Sequence, residues 1–178
     1  MSPADIVTFW RDAGPEKWFE KNDEFDRLIA SKFLTVYEAA ARGELAHFED
    51  SAEGALALVI LLDQFPRNMF RGSSRAFATD PLARAVASRA IARGFDLATD
   101  PTMRPLFYLP FMHSEEAADQ HRCVALYEAL GDEDLLKFAT THRDVVLQFG
   151  RFPHRNRILG RETTAAEREF LDSGGFSG

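Results

Sequence analysis

Helix start and stop signals recur along the whole chain, and they constrain the fold more than any other feature of the sequence. A first short helix is predicted from about Pro3 to Asp12, stopping before Gly14-Pro15. Asn22 caps a longer one, where Asp23 and Glu24 suit the positive end of the helix. Its stripe Phe25, Leu28, Ile29, Phe33, Val36, Tyr37 and Ala40 repeats at the helical period, and Gly43 ends it. Ser51 opens an apolar helix running through Leu62, and Pro66 is expected to break it. Asp80-Pro81 and Asp100-Pro101 each set a capping acid before a proline at the first helical position. The first of these helices reaches Arg93 and stops at Gly94; the second is short and ends at Pro110. Ser114 to Leu130 and Asp132 to Phe149 follow, closed by Gly131 and Gly150. Thr164 with Glu167 makes a capping box for a last helix ending near Leu171. No segment alternates apolar and polar residues between hairpin turns. The expected fold is all-α, with short connections that stack neighbouring helices as antiparallel hairpins.

A chain of 178 residues fits a single domain spanning 1–178. The longest aliphatic run, Ala55 to Leu62, has eight residues, far short of the ~20 needed to span a bilayer. The first residues lack the pattern of a secretory signal, and the single cysteine, Cys123, rules out an internal disulfide. The expectation is a cytoplasmic protein. Leu62, Val59, Phe33 and Val146 are expected to be deep in the core.

The formal net charge of −7 disfavours nucleic acid as a partner, but the charges are unevenly placed. Fourteen of the 17 arginines lie after position 62. Arginines on helix faces pair with nearby acids, which covers Arg84, Arg89, Arg93 and Arg168. Two stretches escape that account. Arg151 to Arg161 holds four arginines, one histidine and no acid, and Gln64 to Arg75 holds three arginines and no acid. A planar guanidinium fork suits carboxylate and phosphate, so both stretches are candidates for anion binding. Phe65-Pro66-Arg67-Asn68 also recurs as Phe152-Pro153-His154-Arg155-Asn156, each after a strongly apolar helix. The string is too short to establish a duplication.

Glycine-rich phosphate loops, Gly-x-Ser-x-Gly elbows and His-Glu-x-x-His helices are absent. His142-Arg143-Asp144 matches three letters of a kinase loop but sits mid-helix. On the stripe Leu135, Phe138, His142, Val145 and Phe149, His142 reads better as a hydrogen-bonded core residue than as a ligand. His121 is expected to face solvent. His113 precedes the helix predicted from Ser114, whose positive end would favour a neutral imidazole. His154 sits among Arg151, Arg155 and Arg157, whose repulsion would also keep it neutral. Glu115 and Glu116 read as compensation of the helix dipole. Asp63, ending the apolar run, is either exposed or paired with Arg67. The histidines and acids show no metal-ligand spacing on one helix, so no metal site is expected. Phe107, Tyr108, Phe111, Phe149 and Phe152 flank these polar residues. Such aromatics more often build core than line a site, yet a pocket needs apolar walls.

Several strings together resemble one bacterial family, the domain of unknown function 924. They include Phe9-Trp10, Gly14-Pro15-Glu16-Lys17-Trp18-Phe19, Leu62 through Gly72, Ala76 through Pro81, Phe107 through Glu115, and Phe149 through Asn156. Leu159-Gly160-Arg161 and Phe170-Leu171 extend the resemblance over nearly the whole chain. Gln148 and His121 depart from the family's pattern, where an arginine and an acid are usual. The resemblance implies a tetratricopeptide-like, right-handed helical array, and it implies no activity.

Three functions fit the residues. In the first, the motif loops converge on a pocket for a small anion, a phosphate or carboxylate. Arg67, Arg71, Arg151, Arg155 and Arg161 would bind it, Asn68 and Asn156 orient it, and Tyr108 line it. Arg67, His113 and Arg155 are then expected to share one cavity, and His113, His154 or Asp63 would supply any acid–base chemistry. In the second, the array is an interaction module holding an acidic peptide. In the third, the arginines are structural. The residues do not decide between binding and catalysis, and they name no cofactor and no membrane partner.

Overall fold

The structure, a computed structural model, describes residues 1–176. These are helical or irregular, with no strand among the described residues, as the punctuation predicts. The chain divides into a first unit, Met1–Pro110, and a second that begins at Phe111.

The first unit is built on α1 (Pro3–Ala13), a single turn α2 (Pro15–Trp18), α3 (Asp23–Ala41), α4 (Ala52–Val59), α5 (Phe65–Met69) and α6 (Asp80–Ala92). Two of the predicted capping side chains act as expected. Asn22 accepts the amides of Glu24 and Phe25, and Ser51 accepts that of Gly54. The core is aromatic where α1, α3 and α5 meet. Trp10 and Trp18 stack at 5.8 Å, and Phe33 meets Phe65 at 4.6 Å. Phe33, Val59 and Leu62 are buried there, as expected.

Pro66 does not break the apolar helix. A π-helical turn, Ile60–Gln64, carries α4 into α5, with Phe65 N donating to Ile60 O. A proline lacks the amide that would satisfy the carbonyl four residues back, here Leu62. Thr79 Oγ1 donates to Leu62 O at 2.6 Å and Arg67 Nη1 to Asp63 O at 2.7 Å, so the helix passes through the proline without stranding these acceptors. Asp80 likewise does not cap. It is the first residue of α6, and its carboxylate goes to Arg67. Asp100 opens no α-helix either: it accepts the amide of Thr102, and a 3-10 turn, Arg104–Phe107, leads into α7 (Leu109–Met112).

The second unit contains α8 (Ala117–Leu130), α9 (Glu133–Phe149) and α10 (Ala165–Asp172). Gly131 ends α8 in the left-handed region and Asp132 caps α9, so α8 and α9 pack as the predicted antiparallel hairpin. Thr164 and Glu167 form the capping box. The start of α8 differs from expectation. Ser114 Oγ is committed to the Glu116 amide and to Asp119, and the helix begins three residues later. Val146 and Phe152 are buried between α9 and the following loop.

Candidate functional site

The arginines that lack local acids find them far away in sequence. In the first unit, Arg67 makes a bidentate pair with Asp80 at 2.8 and 3.0 Å and lies 3.3 Å from Asp63. Asp63 is fully buried and accepts Gln64 Nε2 at 2.5 Å, so of its two predicted environments it takes the buried, paired one. Arg71 forks onto Asp26 at 2.8 and 3.0 Å, and Asn68 Nδ2 donates to the same carboxylate at 2.8 Å. Tyr108 donates to Asp96 at 2.8 Å, and burial followed by that carboxylate pushes its hydroxyl pKa well above the ordinary value.

In the second unit two of the sequence motifs meet. Arg161 makes a bidentate pair with Glu115 at 2.6 and 2.9 Å, and Glu115 also accepts the Phe152 amide at 2.8 Å. Arg151 makes a bidentate pair with Glu167 at 2.6 and 2.9 Å. Asn156 joins the pairs, donating to Glu167 and accepting from Arg161 Nε. The Arg151 hydrogen bonds, helped by the Thr164 amide, hold the Glu167 carboxyl down at about 2. Glu115, too, is lowered: its Arg161 and Phe152 contacts outweigh the burial that opposes them. Glu115, read from the sequence as compensation of the helix dipole, instead serves Arg161 and the Phe152 amide, while Glu167 adds the Arg151 pair to its capping-box role. Each ties the start of the loop 150–164 to its end: Glu115 joins Phe152 and Arg161, and Glu167 joins Arg151 and Thr164.

Arg155 sits in the middle of that loop and is 7 % exposed. Its guanidinium lies 4.5 Å from the centre of the Phe152 ring, and Nη1 donates to the carbonyl of His113 at 3.0 Å. Gln120 fixes that same turn: its Nε2 donates to the carbonyls of Met112 and Ser114 at 2.7 and 2.6 Å. His113 therefore does not stand at a helix start, as the sequence suggested. It is held in a turn four residues before α8 by Arg155 and Gln120.

Two imidazoles flank Phe152. His142 meets its ring edge-on at 5.7 Å, and His154 is tilted to it at 5.6 Å. Burial lowers both pKa values to about 4, with Arg155 adding to the effect. His154 is thus neutral, as expected, although burial outweighs arginine repulsion. His142 Nδ1 lies 2.8 Å from Phe138 O. Since a carbonyl only accepts, Nδ1 carries the proton and Nε2 keeps a lone pair. That is the hydrogen-bonded half-core histidine expected from its stripe. His154 Nδ1 is buried with no hydrogen-bond partner. His121 is exposed, as expected. No group of three or more His, Cys, Asp or Glu residues that could hold a metal occurs among the described residues.

Gln120, Glu115, Glu167 and Asp26 were not singled out in the sequence as site residues. Gln120 alone left a signal: it shares the face of Cys123, Val124 and Tyr127, a polar residue on an apolar stripe. The sequence-predicted residues fall into two groups. Asp63, Arg67, Asn68, Arg71 and Tyr108 belong to the first unit, and His113, Arg151, His154, Arg155, Asn156 and Arg161 to the second.

A family model described as bacterial protein of unknown function (DUF924) matches residues 6–175. The chain belongs to this family. A solved structure of a protein of unknown function from Agrobacterium tumefaciens is similar to this DUF924 chain. The two share 52% sequence identity at a TM-score of 0.94, over 97% of each chain. No curated protein matches the chain. No helix among the described residues is long and apolar enough to cross a membrane.

Proposed function

We propose that this DUF924 protein binds a small anionic molecule, bearing phosphate or carboxylate, at the corner formed by His113, His154 and Arg155. The observation that carries the reading is the buried His154 Nδ1 without a hydrogen-bond partner, on the residue next to a buried arginine. A buried polar atom left unmade costs about 1–3 kcal/mol, which a ligand oxygen accepting from it would recover. Arg155, whose Nη1 holds the His113 carbonyl and whose guanidinium lies against Phe152, supplies the positive charge beside that atom in a fixed, planar orientation. In this reading Arg67, Arg71, Arg151 and Arg161, with Asn68 and Asn156, are scaffold, because their donors already serve Asp80, Asp26, Glu167 and Glu115. Asp63 and Tyr108 are scaffold too.

Binding fits better than acid–base catalysis. A general base works best with a pKa near the operating pH, and both His142 and His154 lie near 4. At neutral pH they are fixed hydrogen-bonding groups. An acidic peptide held by charge would need no neutral histidines, which favours a small ligand over the peptide-binding alternative. The negative net charge argues against nucleic acid, and a cytoplasmic setting is inferred from the composition.

A thermal-shift screen tests this. Inorganic phosphate, sugar phosphates, nucleotides and dicarboxylates are compared with neutral analogues. A ligand at a hundred times its dissociation constant adds about 2.7 kcal/mol, or about 5–10 °C for a protein of this size. At least one anion is expected to stabilise the wild type, and Arg155→Lys to lose most of that shift. If no anion stabilises the wild type, the site is wrong. A melting temperature lowered by Arg155→Lys without ligand, with no anion effect, would make Arg155 structural as well.

A further inference from the structure

After α10 the chain reverses on two consecutive glycines. Gly174 has φ +80°, and its amide donates to Leu171 O at 3.2 Å; the Gly175 amide donates to Phe170 O at 2.9 Å. This is a Schellman end, in which the left-handed residue is most often glycine. Gly175 is needed for a second reason. A Cβ there would lie 2.5 Å from Phe170 O and 2.7 Å from the Phe170 ring. Both glycines therefore serve one geometric end, which is to bring Phe176 back onto the loop.

The Phe176 ring lands on the two imidazoles. Its centre is 4.4 Å from that of His142 and 5.4 Å from that of His154, both edge-to-face, and 6.1 Å from that of Phe152. Such a ring excludes water but offers no conventional hydrogen bond, so it covers polar rings without satisfying the orphaned His154 Nδ1. Ser173 and Gly174 are exposed, and glycine pairs are permissive hinges. Segments held by few buried contacts open at the low end of a protein's stability range.

We propose that residues 173–176 form a displaceable cover over the His142–His154 pair, with Phe176 as its lid and Gly174-Gly175 as its hinge. The cover's role as a gate rests on the binding site proposed above, since an anion reaching His154 must first lift Phe176. The cover itself is testable with no ligand present.

Diethyl pyrocarbonate acylates accessible neutral imidazoles, and peptide mass spectrometry reads each histidine separately. His47 and His121 are exposed and serve as references within the same protein. In the wild type, His142 and His154 are expected to react much more slowly than these two. Phe176→Ala is expected to raise both slow rates about tenfold, equivalent to about 1.4 kcal/mol of opening free energy, and to leave His121 unchanged. Gly175→Ala keeps Phe176 but drives the segment off Phe170, and it is expected to do the same. Phe176→Tyr keeps the ring and the slow rates. If Phe176→Ala fails to fold by circular dichroism, Gly175→Ala decides. Unchanged His142 and His154 rates in a folded Gly175→Ala or Phe176→Ala protein would overturn the cover. Phosphate stabilisation of the wild type reports on the site alone, so its absence, together with accelerated histidines in the variants, would sink the site and keep the cover.

Discussion

Replacing Glu167 with glutamine changes one oxygen for an amide group and nothing in shape. Glu167 is 2 % exposed, and its carboxylate takes hydrogen bonds from Arg151, Asn156 and the Thr164 amide. In the variant an NH2 group must face some of these donors, and Arg151 loses its counter-charge. Breaking a buried pair by removing one partner costs about 3–5 kcal/mol, whereas an exposed pair is worth about 0–1 kcal/mol. The Arg151 side chain is 27 % exposed, so water recovers part of the loss, and about 2–3 kcal/mol is expected. With a urea slope of about 2 kcal/mol/M, the unfolding midpoint at pH 7 should fall by about 1–1.5 M at unchanged slope, followed by far-UV ellipticity. The acid limb adds a check. A carboxyl held at about 2 in the fold and near 4.5 unfolded stabilises fully above pH 4.5 and loses that contribution as pH falls toward 2. The gap between wild type and Glu167→Gln should therefore close over that window. A midpoint within about 0.3 M of wild type at pH 7 would mean that Arg151 and Glu167 are a solvent-screened surface pair.

Thr79→Val should cost about 1–3 kcal/mol in the same titration, because it strands the Leu62 carbonyl that Pro66 cannot serve. A loss below about 0.5 kcal/mol would show that the π-helical turn does not depend on Thr79. The two histidines set a separate pH window. Their folded pKa values are lowered from 6.5 to about 4, so the unfolded chain binds protons the folded one refuses. The histidine contribution should be flat above pH 6.5 and fall below it by up to about 1.4 kcal/mol per pH unit for each histidine, until about pH 4. His142→Gln should flatten that slope; an unchanged slope would place the acid sensitivity elsewhere.

What the sequence disclosed and what it hid divide along the reach of the interactions. Asn22, Ser51, Asp132 and the Thr164–Glu167 box were legible because a cap and its amides lie within three residues of each other. The arginine partners were not legible: Arg71 finds Asp26 across 45 positions and Arg161 finds Glu115 across 46. A stretch with no acids looks like an anion site until those distant carboxylates are known. Pro66 misled for the same reason, since the hydroxyl that takes the stranded carbonyl is 17 residues further on. Asp80 carried a correct cap pattern, but Arg67 offered its carboxylate a stronger partner. His154 is neutral as predicted, but chiefly because burial lowers its pKa, an effect the sequence did not disclose; adjacent Arg155 only adds to it.

Imidazole nitrogen spectra of 15N-labelled protein during a phosphate titration test the central claim most directly, because they read the orphaned atom itself. A saturable shift of His154 Nδ1 that Arg155→Lys abolishes is expected, with the signals of Arg67 and Arg71 unmoved. The proposed site is contradicted if His154 Nδ1 shows no saturable change up to about 10 mM phosphate, or if the saturable changes centre on Arg67 and Arg71 instead.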